Sequence, residues 1–308
     1  MPGSETKKPT LLLVVLAFAT IYVVWGSTYY FIQVAVREIP PMMLGAMRFM
    51  TAGALLLAWC MARGEGMGTG AQRVNAALVG LMMLLGGTGA VIWAEKWLPS
   101  SLVAILISSA PFWFVLLDVP KWRENLTNRA VIVGLVAGFV GVVLMFGDKI
   151  AAAFSLAGNP YELAGLAILM FGTMSWAGGS LYSKYRASGS PNVNSAWQML
   201  AAGVAFSAGS LILAEWKGFD WRGVSAGAWL SVAYLVVFGS LAAYTAYIWL
   251  LQVRPAAQVS TYAYVNPLIA VLLGVIFAGE KLTLPQVGGL FVILGSVLAI
   301  NLAKGRSS

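Results

Sequence analysis

Ten apolar runs, most of them about twenty residues long, follow one another along the chain and are separated by short polar connections. A helix needs roughly 20 consecutive apolar residues to cross the hydrocarbon core of a bilayer, and a helix satisfies its own backbone hydrogen bonds in lipid. The sequence therefore predicts an all-α integral membrane protein with ten transmembrane helices, at about 11–36, 40–62, 74–94, 100–119, 129–147, 161–183, 193–214, 225–251, 256–279 and 285–303.

The composition leaves few polar residues to cover a water-exposed surface. Apolar residues make up 60% of the 308 residues and charged residues 10%, against about 25% charged residues in a soluble domain. Histidine is absent and Cys60 is the single cysteine, which excludes histidine-based metal sites, catalytic triads and an internal disulfide. The net charge of +8 does not indicate a nucleic-acid partner, because the basic residues are scattered at the ends of the apolar runs.

Lysine and arginine are distributed unequally between alternate connections. Twelve of the 19 fall on the side that also holds both chain ends, six fall on the other side, and Arg48 lies within the second run. Positively charged connections remain cytoplasmic, so we predict cytoplasmic N- and C-termini in a plasma (inner) membrane. No small-residue cleavage site follows the first run, so we interpret this run as a retained helix and not as a signal peptide.

An internal repeat relates the two halves of the chain. At least eleven of the 38 residues in 90–127 are identical to the residue 156 positions later, where chance gives about two or three. The repeat predicts two five-helix units, 1–150 and 151–308. Five spans are an odd number, so the second unit is expected to be inverted in the membrane, as in secondary transporters whose substrate binds between the repeats. A duplicated structural membrane protein without transport is the alternative. Identical pairs include Trp93 and Trp249, Pro99 and Pro255, Pro111 and Pro267, and Glu124 and Glu280.

Short motifs recur in the repeat and in the first two runs. They are Pro111-Phe112-Trp113 with Glu124-Asn125-Leu126-Thr127, Pro267-Leu268 with Glu280-Lys281-Leu282-Thr283, the glycine-rich run after each, Trp25-Gly26-Ser27, and Arg48-Phe49. Together they resemble the drug/metabolite transporter superfamily, EamA type with two repeats, over nearly the whole chain. The resemblance implies export of amino acids, other metabolites or drugs, and aromatic amino-acid exporters are among the similar members. Many relatives carry a lysine late in the first span, where this chain has Gln33, so no lysine contact to substrate is carried over.

Arg48 is the one charge placed deep within a run. A central arginine costs about 2.5–3.5 kcal/mol on insertion scales, so it is expected to face the interior of the bundle and to find partners there. It is either a bidentate clamp for a substrate carboxylate or a structural residue paired with helix carbonyls or an acidic side chain.

Aromatic residues with small or hydroxyl neighbours occur well inside several runs. Buried Tyr and Trp need partners for their polar atoms, and the wall of a cavity offers water or substrate in that role. Packing and interfacial anchoring are the alternatives for each of them. Ser109 and Gln198 are further hydrogen-bonding candidates. The predicted cavity residues are Trp25, Thr28, Tyr29, Arg48, Trp93, Ser108, Trp113, Trp176, Tyr182, Tyr244, Tyr262 and Asn266.

Pro111 and Pro267 occupy equivalent positions in the fourth and ninth runs. Proline removes an intrahelical hydrogen bond and kinks a helix, so the two form either a symmetric pair of hinges or two static kinks. Gly134 and Gly138 have the spacing of closely packed membrane helices.

The acidic residues lie away from the middle of the runs. Glu95 and Asp118 lie near run ends, and Glu124 and Glu280 fall in connections, where we expect them to cap or to pair. An acid that couples transport to protons or binds a lipophilic cation is expected deeper. The sequence therefore gives little support to obligate proton coupling.

These features predict a secondary transporter that exports small metabolites, in first place neutral or aromatic amino acids, by alternating access. A broad-specificity efflux pump for drugs and lipophilic cations is the alternative within the superfamily. A membrane scaffold or enzyme is the alternative outside it, although no clustered acids or nucleophile with a base indicate an enzyme. We expect a small-molecule substrate and the lipid bilayer as partners, no nucleic acid, no cofactor, no metal, and a monomer as the simplest oligomeric state.

Overall fold

The computed structural model describes residues 10–98, 100–155, 160–278 and 283–305, and all regular structure within these ranges is helical. Pro99 and the segment 279–282, with the expected capping role of Glu280, lie outside the described residues, as do both chain ends. Numbered along the chain, the helices are α1 Leu11–Val36, α2 Pro41–Ala62, α3 Gly70–Ala94, α4 Ser100–Ile107, α5 Ala110–Leu117, α6 Trp122–Thr127, α7 Arg129–Ser155, α8 Pro160–Arg186, α9 Pro191–Ile212, α10 Ala226–Val253, α11 Ala256–Val259, α12 Tyr262–Ala278 and α13 Leu284–Gly305.

Seven helices in the described ranges are long and apolar enough to cross a membrane. Two further helices meet at a sharp bend, and they make an eighth span if the pair is counted as one. The bent pair is Val103–Leu117 and Val119–Thr127, which meet at 71°. This bend lies at Asp118, at the end of the fourth predicted run, 100–119, and the run itself is interrupted by a turn at Ser108 and Ser109. The chain is a multi-pass α-helical membrane protein with seven or eight candidate spans in its described part. The seven are α1, α2, α3, α8, α9, α10 and α13.

Large apolar side chains cover the outside of the bundle. Phe171, Leu230 and Ile212 are 68%, 70% and 83% exposed. Extended apolar surface of this kind is rare on monomeric soluble proteins, and lipid chains are the solvent that it suits.

The third helix of each predicted half contains a π-helical segment. The segments are Leu81–Thr88 in α3 and Leu235–Tyr244 in α10. A π segment widens a helix locally and is frequent at functional sites. These two segments face the centre of the molecule, where α3 packs on α8 and α10 packs on α1.

The second helices of the halves, α2 and α9, pack against each other in opposite directions. At one end the Glu215 carboxylate, which follows α9, accepts a hydrogen bond from the backbone N–H of Met43 at 2.8 Å. At the other end Glu65, which follows α2, accepts a hydrogen bond from the hydroxyl of Ser190, the N-cap of α9. Each carboxylate lies at the positive end of the partner helix, where negative charge stabilises it.

The fifth helices, α7 and α13, also run in opposite directions. A Cβ on Gly134 would lie 2.6 Å from Ile300 Cγ1, and a Cβ on Gly141 would lie 2.8 Å from Ile293 Cγ1. Glycine is therefore needed for this close approach at Gly134 and Gly141. Gly138 also permits close packing, as predicted, but against the ring of Tyr264 in α12, where a Cβ would lie 2.6 Å from Cε2.

The two prolines of the repeat lie in different local structures. Pro111 is in the first turn of α5, directly after a break at Ser108 and Ser109. A first-turn residue has no intrahelical partner for its N–H, so proline begins this helix without disturbing it. Pro267 lies inside α12. Pro111 therefore begins a helix whereas Pro267 interrupts the hydrogen bonding of one, and the hinge role of the pair stays a prediction.

Candidate functional site

A cavity lies between α1, α2 and α3 on one side and α8, α10 and α12 on the other, and with its opening it encloses about 730 Å³. Its wall is made mainly of aromatic and aliphatic side chains with a few hydroxyl, amide and guanidinium groups. Such a lining is typical of small-molecule sites. Eight of the twelve predicted residues line it: Trp25, Thr28, Tyr29, Arg48, Trp176, Tyr244, Tyr262 and Asn266.

Trp25 and Trp176 meet in the wall of this cavity. Trp25 lies on the first helix of one predicted half and Trp176 on the first helix of the other, and their rings contact edge to face with centroids 5.5 Å apart. The indole N–H of Trp25 donates to the carbonyl of Gly239 at 3.2 Å, and Trp176 lies so close to Gly87 that a Cβ there would be 2.9 Å from the indole. Each tryptophan therefore packs on a glycine of the π segment in the opposite half.

Two tyrosines extend this pair into an aromatic cluster. The rings of Tyr247 and Tyr262 each lie 5.0 Å from that of Trp25. The Tyr247 hydroxyl accepts a hydrogen bond from the Trp176 indole at 3.2 Å and lies 2.7 Å from the hydroxyl of Ser180. These bonds hold the ring planes in place, so the cluster presents a fixed aromatic surface to the cavity.

Amide side chains support the wall at two places. The Tyr244 hydroxyl donates to Gln198 Oε1 at 2.7 Å, which ties α10 to α9 behind the cavity. With its amide nitrogen turned toward the backbone acceptors, Asn266 donates to the carbonyls of Tyr262 at 3.0 Å and Tyr22 at 3.3 Å. The side chain of Asn266 also hydrogen-bonds to Tyr29, and both residues line the cavity.

Arg48 lines the cavity and is only 5% exposed. Its Nε donates to the hydroxyl of Ser240 at 2.9 Å, and its guanidinium lies 4.9 Å from the centre of the Phe49 ring. Its Nη1 makes no hydrogen bond in the described part of the chain, and no carboxylate there lies within 4.0 Å of the guanidinium. The structure thus gives Arg48 a hydroxyl and a ring as neighbours but no counter-ion among the described residues.

Four predicted cavity residues lie elsewhere. Trp93 packs against Trp97, with ring centroids 6.3 Å apart, and Trp113 packs against the main apolar core. The Tyr182 hydroxyl donates a hydrogen bond to Asn75 Oδ1 at 2.8 Å, between the C-terminal end of α8 and the N-terminal end of α3. Ser108 joins the break before α5 to α12 by a hydrogen bond to a backbone carbonyl.

Sequence reasoning missed several contributors to the wall. Thr88 and Thr173 line the cavity, and Tyr247 completes the aromatic cluster without being predicted. The glycines that seat the tryptophans, Gly87 and Gly239, were also missed. A glycine inside an apolar helix does signal a close approach, and that signal was present at both positions.

Comparison with known proteins gives a consistent result. A family model described as "EamA-like transporter family" matches residues 11–147 and again 163–302. The "Uncharacterized inner membrane transporter YedA" of Escherichia coli K12 is 34% identical over 289 residues, which cover 94% of this chain and 90% of that protein. A "Probable amino-acid metabolite efflux pump" of Salmonella typhimurium LT2 is 23% identical over 287 residues, which cover 90% of this chain and 91% of that protein.

A solved crystal structure has the same fold. It aligns with a TM-score of 0.74 over 96% of this chain and 98% of the other, at 19% identity.

Proposed function

Because this chain belongs to the EamA-like transporter family, we propose that it exports neutral or aromatic amino acids, or metabolites of similar structure, by alternating access. The observation that carries the proposal is the cavity whose aromatic surface is built by Trp25 from one half and Trp176 from the other. A site shared between two halves changes its accessibility when one half moves against the other.

The proposal includes ten membrane spans in two inverted five-helix halves, 1–150 and 151–308. The opposite directions of α2 and α9, and of α7 and α13, support it, because equivalent helices of inverted repeats run antiparallel. The two family-model matches, 11–147 and 163–302, fall one in each half.

The substrate class is proposed from the lining and from one relative. Aromatic ring faces suit an aromatic or aliphatic side chain, and they attract an ammonium group by up to about 2 kcal/mol when it is desolvated. The relative named as an amino-acid metabolite efflux pump aligns over 90% of this chain. Both support an amino acid or a similar metabolite as the solute.

An inner-membrane location with both termini in the cytoplasm completes the proposal. The relative named as an inner membrane transporter and the twelve-to-six distribution of basic residues support it. Export of lipophilic cations receives less support, because the lining residues in the described ranges include Arg48 and no aspartate or glutamate.

Flux measurements on reconstituted protein test this function. Liposomes that contain the purified chain are loaded with radiolabelled Phe, Met or Thr, or with a lipophilic cation dye. Release of each solute is compared with its release from protein-free liposomes. We expect faster release of Phe and Met and no effect on the dye. Release of the dye alone would replace the amino-acid proposal with the drug-efflux alternative, and release of no solute would remove the transport proposal for this panel.

A further inference from the structure

We propose that Arg48 selects the substrate by its carboxylate group, so that the cavity accepts hydrophobic carboxylates whether or not they also carry an ammonium group. The proposal rests on the proposed function and defines its substrate class by the carboxylate, as organic acids with an apolar body, which include amino acids and also acids without an ammonium group. In this proposal the protein recognises the carboxylate of the solute.

The first step is the incomplete set of partners around Arg48. A guanidinium carries five N–H donors in a planar fork that matches a carboxylate. In the described part of the chain, the Ser240 hydroxyl takes the Nε donor and Nη1 has no acceptor. A buried charged donor without an acceptor is unfavourable, so an acceptor supplied by a bound solute stabilises this arrangement more than an apolar solute does.

The second step is the way in which α10 holds the guanidinium of Arg48. Gly239 lies beside Nη2, and a Cβ at this position would come within 3.0 Å of it. The neighbouring Ser240 is also in the π segment of α10, so this segment fixes the Nε side of the fork. Arg48 lines the cavity, and its buried Nη1 has no acceptor in the described part of the chain. A carboxylate that reached Nη1 and Nη2 would form the two parallel bonds of a bidentate pair.

The third step is the charge of the lining. Among the described residues that line the cavity, Arg48 is the charged one, and none is an aspartate or a glutamate. Among the described wall residues, Arg48 therefore supplies a positive charge and no side chain supplies a carboxylate. In a low-dielectric site this arrangement attracts the carboxylate of a solute and disfavours a cation. An ammonium group finds aromatic faces such as those of Trp25 and Tyr262 and neutral hydroxyl and amide groups, but no carboxylate among the described wall residues.

Binding by the purified full-length chain in detergent tests the charge preference directly. The probes share a phenyl body: 3-phenylpropanoate and N-acetyl-L-phenylalanine carry a carboxylate alone, and phenethylamine and L-phenylalaninamide carry an ammonium group alone. The readout is the ligand-induced rise in the thermal unfolding midpoint. We expect the acids to act at concentrations at least about tenfold lower than the amines. Equal action of acids and amines, or no action of either acid, would overturn the proposal.

Variants of Arg48 provide the second arm. Arg48→Gln removes the charge and is expected to abolish the preference for acids, whereas Arg48→Lys keeps the charge without the fork and is expected to retain a weakened preference. Arg63→Gln, at the exposed end of α2, is the matched control and is expected to bind like the natural chain. If Arg48→Gln does not fold, the binding of acids by Arg48→Lys is the test. Binding of acids that is as strong in either Arg48 variant as in the natural chain contradicts the proposal.

Flux in liposomes separates this inference from the proposed function. Acid-selective binding without flux of any solute leaves the role of Arg48 standing and removes the transport proposal. Amino-acid flux that acids and amines inhibit equally supports the transport proposal and removes the role of Arg48.

Discussion

The Ser108 hydroxyl lies 3.0 Å from the carbonyl oxygen of Ala263 and 2.9 Å from that of Ala104, so its proton is shared between the two. The carbonyl of Ala263 is the one that Pro267 leaves without a helical partner. In a regular helix the N–H of residue 267 would bond to the carbonyl of residue 263, but proline has no N–H. Ser108 lies at the break that precedes Pro111. The broken helix of the first half therefore satisfies the backbone defect in the proline-containing helix of the second half.

Removal of the Ser108 hydroxyl is expected to destabilise the protein. Ser108→Ala leaves the buried carbonyl of Ala263 unsatisfied, which costs about 1–3 kcal/mol, and the unfolding midpoint in detergent should fall. Ser109→Ala is the matched control, because the Ser109 hydroxyl bonds only within its own segment, to the carbonyl of Leu106. Equal midpoints for the two variants would contradict the role assigned to Ser108.

The Trp25 and Trp176 rings are expected to be needed for transport. Trp176→Ala removes the edge-to-face contact and the hydrogen bond to Tyr247, and substrate flux in liposomes should fall about tenfold, from the loss of roughly 1.5 kcal/mol of aromatic contact. Trp216→Ala is the control, because Trp216 lies in the connection after α9, away from the cavity. Undiminished flux in Trp176→Ala would remove this residue from the site.

The close approach of Gly87 to Trp176 predicts a strong effect of a single methyl group. In Gly87→Ala the new Cβ would lie 2.9 Å from Trp176 Cε3, so the indole must move and the cluster loses its geometry at a cost of about 1–3 kcal/mol. Gly288→Ala adds the same methyl group where nothing lies within 4 Å. Transport is expected to fall in Gly87→Ala alone, and loss in both variants would point to a general effect of helical alanine.

The environment of Glu38, in the connection between α1 and α2, predicts that the stability of the protein depends on pH. The Glu38 carboxylate accepts hydrogen bonds from the backbone N–H of Ser225 at 2.6 Å and from the Ser225 hydroxyl at 2.7 Å. These two bonds, the backbone bond first, lower the pKa of Glu38 below its usual value.

A lowered pKa in the folded state means that this stabilisation is present above the unfolded-state pKa of about 4.3 and is lost as the pH falls through the folded-state value. The unfolding midpoint of the natural chain should therefore exceed that of Glu38→Gln at pH 7, and the gap should close in more acidic buffer. A gap that does not change with pH would show that the charge of Glu38 is not the cause.

The predicted topology is open to direct labelling, because the chain has a single cysteine, Cys60, which is buried. In a Cys60→Ser background, cysteines introduced as Ser4→Cys and Ser308→Cys should both react with an impermeant maleimide in inside-out vesicles and not in right-side-out vesicles. Reaction of the two positions from opposite faces would contradict an even number of spans and the inverted arrangement of the halves.

Arg48, Trp25 and Trp176 could be predicted from the sequence because a charge or a polar ring inside an apolar helix needs an interior partner wherever that helix packs. Trp93 and Trp113 could not be placed in the same way. Helices that are apolar on all sides carry little information about which face points inward, so a tryptophan that faces other side chains and one that lines a cavity have similar sequence surroundings.

The break before α5 was beyond sequence reasoning for a different reason. The identity of Pro111 and Pro267 predicts equivalent local structure, but the position of each break depends on long-range contacts such as the bond from Ser108 to Ala263. The π segments were missed likewise, since Leu81–Thr88 and Leu235–Tyr244 have no apolar pattern that differs from an α-helix.

Counterflow tests the central claim of a carrier with one site shared between two halves. Liposomes containing the purified chain are loaded with unlabelled Phe and diluted into buffer with a trace of labelled Phe. A carrier that exposes its site alternately to each side releases unlabelled Phe outside and returns with labelled Phe. Labelled Phe inside the liposomes should therefore rise transiently above its equilibrium level. This overshoot should be absent in Trp176→Ala. Uptake that rises to equilibrium without an overshoot, or that equals uptake by protein-free liposomes, would contradict the account.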